Sequence, residues 1–138
     1  MGNRALIAFE DKGRDKKDCP AIYLHWNGGR DSVEGFLAVA KDQFGGTHSP
    51  DYGCARLTTI ICNWLGVKDG LSVGVGTFGT LHADNYDNGT YWVNSKYEIT
   101  EREFKRQAEQ ANYSIEELKE SISAAQPVIK NTDERDAA

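Results

Sequence analysis

A short apolar run opens the chain, an alternating segment follows it, and a helical period comes soon after. Arg4 to Phe9 reads as a first strand, and the charged run EDKGRDKKD, Glu10 to Asp18, as a solvated hairpin loop. Ala21 to Trp26 alternates and is rich in β-formers, which predicts a second strand running into the turn signal Asn27-Gly28-Gly29. Asp31 then stands as a helix N-cap, with Glu34 completing a capping box. Val33, Phe36, Leu37, Ala40 and Phe44 fall on one helical face, and Gly45-Gly46 stops the helix. A second helix follows Ser49-Pro50-Asp51. Its stripe of Leu57, Ile60, Ile61, Trp64 and Leu65, ended by Gly66, places it at the centre of the core.

Leu71 to Val75 predicts a glycine-punctuated strand, Gly76 to Gly89 a turn-rich loop, and Tyr91 to Ile99 one bent strand or two short ones. Thr100 with Glu103, and Ser114 with Glu117, are two further capping boxes and predict a third and a fourth helix, the last closed by Pro127. The expected fold is α+β: a small antiparallel sheet packed with two core helices, plus two C-terminal helices. One ligand-binding domain is expected over residues 1–129, with a disordered polar tail over 130–138.

With 138 residues there is room for one core. A net charge of −5 argues against a protein that binds DNA or RNA polymers through their backbone. No apolar run approaches the roughly 20 residues that span a bilayer. MGNRALIAFED turns polar too soon for a signal peptide, and its sixth residue is not the Ser or Thr of a myristoylation signal. The three cysteines, Cys19, Cys54 and Cys62, follow no metal-ligand spacing and read as reduced thiols in a cytoplasmic protein, with Cys62 as a core residue.

No Walker A loop, dinucleotide fingerprint, HExxH or GxSxG is present, and GVGTFG reads as a bulged strand or tight turn. His25 lies at a strand end and His48 and His82 in loops, so no two histidines share a helical face; neither a metal nor a cofactor is expected. His25 with Asp31 or Asp84 is the pairing a hydrolase would use. HWNGGRDS, His25 to Ser32, is more informative. A strand ends, glycines bend the backbone, and a helix begins whose first N–H groups favour an anion. Arg30 adds a planar guanidinium suited to phosphate, and Trp26 a face for packing or stacking. Arg56 lies early in the second helix, beside its apolar stripe. Phe78 and Tyr86 have the chemistry to stack on a base, and Asn85 and Asn88 the geometry to read an adenine edge.

IYLHWNGGRDSVEGFL, with DYGCARL and the DNGTY turn downstream, resembles the first described type of Thoeris anti-defence proteins of phages, over roughly Arg4 to Ile99. The resemblance implies a non-catalytic sponge for cyclic ADP-ribose isomers that also takes cyclic oligonucleotide signals at a separate site. It implies a homodimer or higher symmetric oligomer acting in the host cytoplasm. Carried over by position, it implies ligand contacts from Arg30, Arg56, Phe78 and Asn88, alongside Trp26 and Asn27 of the turn. A further contact is expected from Arg102, Lys105 or Arg106. Cys54 stands where the family carries a bulkier residue. The alternatives are an enzyme that degrades such signals and a direct protein inhibitor of a host defence complex, whose cue is the acidic surface of the last helices.

Overall fold

The computed structural model describes residues 2–47, 49–70, 72–81, 87–104 and 113–127. His48, Leu71, His82, Asp84, Asn85, Tyr86, Lys105, Arg106 and the 130–138 tail lie outside them. The elements are β1 (Ala5–Phe9), a 3-10 turn (Lys16–Asp18), β2 (Pro20–Leu24), α1 (Arg30–Phe44), α2 (Pro50–Gly70), β3 (Val73–Thr77), α3 (Phe78–Leu81), β4 (Thr90–Val93), β5 (Ile99–Glu103) and α4 (Ile115–Ala124). They form an α+β fold around one five-stranded sheet of order β3-β2-β1-β4-β5. Three of the four strand pairings are antiparallel, as expected. The pair β1–β4 is parallel, with Leu6 opposite Thr90 and Phe9 opposite Val93.

β1 is the central strand and all five of its residues are buried. Successive side chains of a strand point to opposite faces, so β1 feeds two cores. Ala5, Ile7 and Phe9 join Ile22, Leu24, Tyr91 and Val93 under the apolar stripes of α1, α2 and α4. Leu6 and Ala8 point the other way and join Cys19, Ala21, Phe78 and Trp92 in a smaller cluster. α4 is seated by specific contacts as well as by Leu118 and Ile122. Gln126 Nε2 donates to Ile60 O and Ile122 O, both at 3.0 Å, and Trp64 Nε1 donates to Ser121 Oγ at 3.0 Å. Gly66, at φ 76°, breaks α2 where the stripe ends. Among the described residues no helix is long and apolar enough to cross a membrane.

Three local expectations are corrected. Thr100 to Glu103 is not the start of a helix but most of β5, with Thr90 opposite Glu103 and Trp92 opposite Glu101. The Asn94 side chain closes the preceding turn by accepting from Lys96 N at 2.9 Å and Glu98 N at 3.0 Å. Glu103 then accepts from Trp92 Nε1 across the ladder and pairs with Lys16, so long-range pairing overrides a local capping pattern. At α1, Gly29 rather than Asp31 holds the N-cap position. Asp31 sits one residue inside the helix, accepting from Ser32 N at 2.7 Å and Tyr113 N at 3.2 Å, while Glu34 pairs with Arg30. Cys62 is half-buried on α2 rather than fully within the core.

Candidate functional site

The six residues singled out in the sequence fall in three places. Trp26, Asn27, Arg30 and Asn88 surround the sheet end from which α1 departs. Asn27 takes the positive φ of the turn, 62°, a conformation that Asn tolerates. Gly28 is needed for a different reason: a Cβ there would stand 2.4 Å from Asn3 O and 2.8 Å from Ala5 Cβ. Tyr91 Oη locks the bend by donating to Gly28 O at 2.7 Å. Trp26 is half-exposed and meets the His25 ring edge-on, centroids 5.0 Å apart.

The polar groups around this bend are committed within the chain. Asn88 is buried; its Nδ2 donates to Asn3 Oδ1 at 2.6 Å and Arg4 O at 3.0 Å, and its carbonyl accepts from Arg102 at 2.9 Å. Arg102 lies on β5 with its guanidinium carbon 3.8 Å from the Tyr91 ring centroid. Arg30 Nε pairs with Glu34 at 3.3 Å, and Asp31 already supplies a carboxylate to the first turn of α1. His25 Nδ1 shares a 2.9 Å hydrogen bond with Tyr23 Oη, and among the described residues His25 forms no pair with Asp31. Burial opposes ionisation of the neighbouring Asp87, but hydrogen bonds from Arg4 Nε and Arg4 N, with the Arg4 and His25 charges, outweigh it and hold the carboxyl below its ordinary value.

Phe78 lies on the other face of the sheet. It is buried at the start of α3, 4.9 Å from Trp92 between ring centroids and stacked 6.4 Å from Phe104. It is a core residue there.

Arg56 is the exception among the predicted cations. It lies beyond the far end of α1: its guanidinium carbon is 5.6 Å from the centroid of Phe44, the last residue of that helix, and 5.9 Å from that of Tyr52. Arg30 begins the same helix, so at about 1.5 Å rise per residue the two ends of α1 are about 21 Å apart. Among the described residues Arg56 forms no ion pair. It faces a cavity of about 380 Å³ lined with Gly46, Thr47, Ser49 and Tyr52.

The local sequence builds this pocket. Gly45 at φ 72° turns the chain out of α1, and Thr47 N donates to Ser95 O at 2.9 Å, fastening the segment to the β4–β5 turn. Pro50 suits the first position of α2, where no N–H is required. Gly53 leaves room for Thr47 Oγ1 and the Phe9 ring, 2.9 and 3.4 Å from where its Cβ would stand. Asp51, the carboxylate nearest the start of α2, is drawn aside by Arg14, whose Nη1 donates to it at 2.8 Å; that bond is the main reason its carboxyl lies below the ordinary value. Thr47, Ser49, Tyr52 and Arg56 therefore line one cavity near the start of α2, a combination of residue types that suits a phosphate carrying an aromatic group. Thr47, Ser49 and Tyr52 were not singled out in the sequence. The i,i+4 spacing of Tyr52 and Arg56 was the available signal.

Burial pushes the neighbouring Cys54 thiol up to about 11, which makes it a poor nucleophile. No group of three or more His, Cys, Asp or Glu side chains among the described residues is arranged to hold a metal. No family model, curated protein or solved structure matches the chain.

Proposed function

We propose that this chain is a binding protein that captures a phosphorylated nucleotide signal in the Arg56 pocket and releases it unchanged. The observation that carries the reading is the state of Arg56, a guanidinium beside two aromatic rings and a cavity, with no carboxylate partner among the described residues. Surface arginines are commonly paired, as Arg14 and Arg30 are here. An unpaired one beside hydroxyls and a helix start is suited to phosphate oxygens.

The ligand class follows from the resemblance of HWNGGRDS, DYGCARL and DNGTY to Thoeris anti-defence sponges: a cyclic ADP-ribose isomer, with cyclic oligonucleotides as a second class. Sequestration in the host cytoplasm, by a symmetric homo-oligomer, belongs to the same reading. Sequestration requires affinity alone, so no general base or metal is called for. Ligand pockets usually measure about 300–1,000 Å³, and this one is at the small end, enough for a phosphate and part of a stacked base.

Calorimetric titration with a cyclic ADP-ribose isomer tests the assignment. Arg56→Ala is expected to weaken binding by at least tenfold, the scale of a lost charge-assisted hydrogen bond of about 1.5–3 kcal/mol. Arg30→Ala, whose guanidinium is occupied by Glu34, is expected to change affinity by less than threefold. Wild-type affinity in Arg56→Ala would remove the pocket from consideration.

A further inference from the structure

β3 is an outer strand of the sheet, and its open edge is short. Antiparallel neighbours alternate between residue pairs that exchange hydrogen bonds and pairs that do not. His25 N donates to Ser72 O at 3.3 Å and Phe78 N to Cys19 O at 2.9 Å, which fixes the phase of the β2–β3 ladder. In that phase the main-chain groups of Gly74 and Gly76 face β2, while those of Val73, Val75 and Thr77 face outward. Thr77 is closed by its own chain: Thr80 Oγ1 accepts from Thr77 N and donates to Thr77 O, both at 3.1 Å. Among the described residues nothing bonds the outward main-chain groups of Val73 and Val75.

The side chains of β3 agree with an open edge. Val75 stands opposite Ile22 and so on the helix-covered face, yet it is 59% exposed where Ile22 is fully buried. A groove of about 600 Å³ lies beside it, lined by Val75 and Thr77 of β3 and by Ala55 and Thr58 of α2. Gly74 is unexplained within the chain. Its φ is not left-handed, and a Cβ there would meet nothing nearer than Tyr23 Cβ at 3.8 Å, an ordinary contact. A glycine inside a strand weakens it and often marks the close approach of another backbone. Edge strands are normally protected by charge or by proline. β5, at the opposite edge, carries Glu101, Arg102 and Glu103, whereas VGVGT has no such residue.

We propose that β3 pairs with β3 of a second copy of this chain, antiparallel about a two-fold axis at Gly74. This register sets Val73 opposite the partner's Val75 and Val75 opposite the partner's Val73. Every outward group that Thr80 leaves open is then bonded, on both copies at once. A two-fold axis at Val75 would instead set Val73 against Thr77, which Thr80 already occupies. Gly74 meets the partner's Gly74 as a non-hydrogen-bonded pair, with Cα atoms about 4.5 Å apart, the closest approach in such a ladder. Both strands are uncharged, so two chains of net charge −5 meet on neutral surface. The partner strand covers Val75 and the groove beside it, and the two five-stranded sheets become continuous. This gives the symmetric homo-oligomer of the proposed function a surface and a register. It is carried by β3 alone and does not depend on the ligand assigned to the Arg56 pocket.

Sedimentation of the full chain without ligand, as wild type and as Val75→Lys, tests the surface. Wild type is expected at twice the chain mass or a multiple of it. Val75→Lys, which charges the open edge and leaves the β2 ladder intact, is expected to weaken association at least tenfold with an unchanged circular dichroism spectrum. Disulfide cross-linking of Gly74→Cys and Val75→Cys under mild oxidation tests the register, with wild type as the blank for the three native cysteines. Gly74→Cys is expected to cross-link at least tenfold faster. In the proposed register the two copies of residue 75 are offset by about 7 Å along the strand and roughly 5 Å across it, beyond the Cα separation of about 7 Å that a disulfide bridges. A wild type of single-chain mass at every concentration overturns the proposal and leaves the Arg56 pocket to its own titration. An assembly that Val75→Lys leaves intact also overturns it, while the homo-oligomer itself stands. Equal cross-linking by the two cysteine variants overturns the register, and if Val75→Lys does not fold, this comparison decides.

Discussion

Asn27, Gly28 and Gly29 divide the work of the β2–α1 bend among three different constraints. The positive φ falls on Asn27, the close backbone approach on Gly28, and the helix N-cap on Gly29. Read from sequence, the two glycines were to provide the sharp turn; the structure gives that task to the asparagine. Gly28→Ala forces a methyl into Asn3 O and Ala5, and is expected to lower stability by about 1–3 kcal/mol, the usual cost of overpacking. Asn27→Gly, which keeps access to the same φ, is expected to change it little. Urea denaturation of both variants checks the pair, and a Gly28→Ala protein as stable as wild type would contradict the packing described. The same scale separates the two predicted arginines. Arg30 has Glu34 one helical turn away, whereas Arg56 has Tyr52 at that spacing, and this difference in neighbours decides which guanidinium is available to a ligand.

At the scale of elements, the sequence is most legible where local and tertiary preferences agree. The stripe from Leu57 to Leu65 is the central helix it promised, and Ser114 caps α4 by accepting from Glu117 N at 3.4 Å. Ser114→Ala is expected to reduce stability by about 1 kcal/mol, measured as a lower denaturation midpoint at unchanged cooperativity. Legibility fails where distant chain decides. Thr100 and Glu103 have the spacing of a capping box, but β4 offers them a ladder and Trp92 and Lys16 engage the carboxylate. The parallel partnership of β1 with β4 joins segments more than eighty residues apart in sequence, which no local pattern encodes. The candidate pocket was half legible for the same reason. Arg56 was visible by its place on α2, while Thr47 becomes a wall only because Ser95 holds it there.

The whole molecule is a sheet with unequal faces, and this determines where ligand chemistry can reside. Three helices cover one face, while the other carries a small aromatic cluster that includes Phe78. Phe78 and Arg56 are therefore not partners within one chain. The sheet end is tied by the Arg4–Asp87 pair, 3.1 Å apart, and its pH dependence has a definite sign. The folded carboxyl of Asp87 ionises below its unfolded counterpart, so the pair's contribution is fully present above the ordinary carboxylate value and is lost as pH falls through the lower, folded value. Thermal melts from neutral pH down to about pH 2 should show a decline in midpoint that is shallower in Asp87→Asn. An equally steep decline in that variant would show that other carboxylates dominate acid unfolding.

The claim that the chain captures a phosphorylated nucleotide without transforming it is tested most directly by recovering what it holds. Wild-type protein would be incubated with a cyclic ADP-ribose isomer, freed of excess ligand, heat-denatured, and the released small molecules identified by mass spectrometry. The account predicts the intact isomer, in near-stoichiometric amount from wild type and strongly reduced from Arg56→Ala. Release of a cleaved product, or of no nucleotide at all, would contradict it.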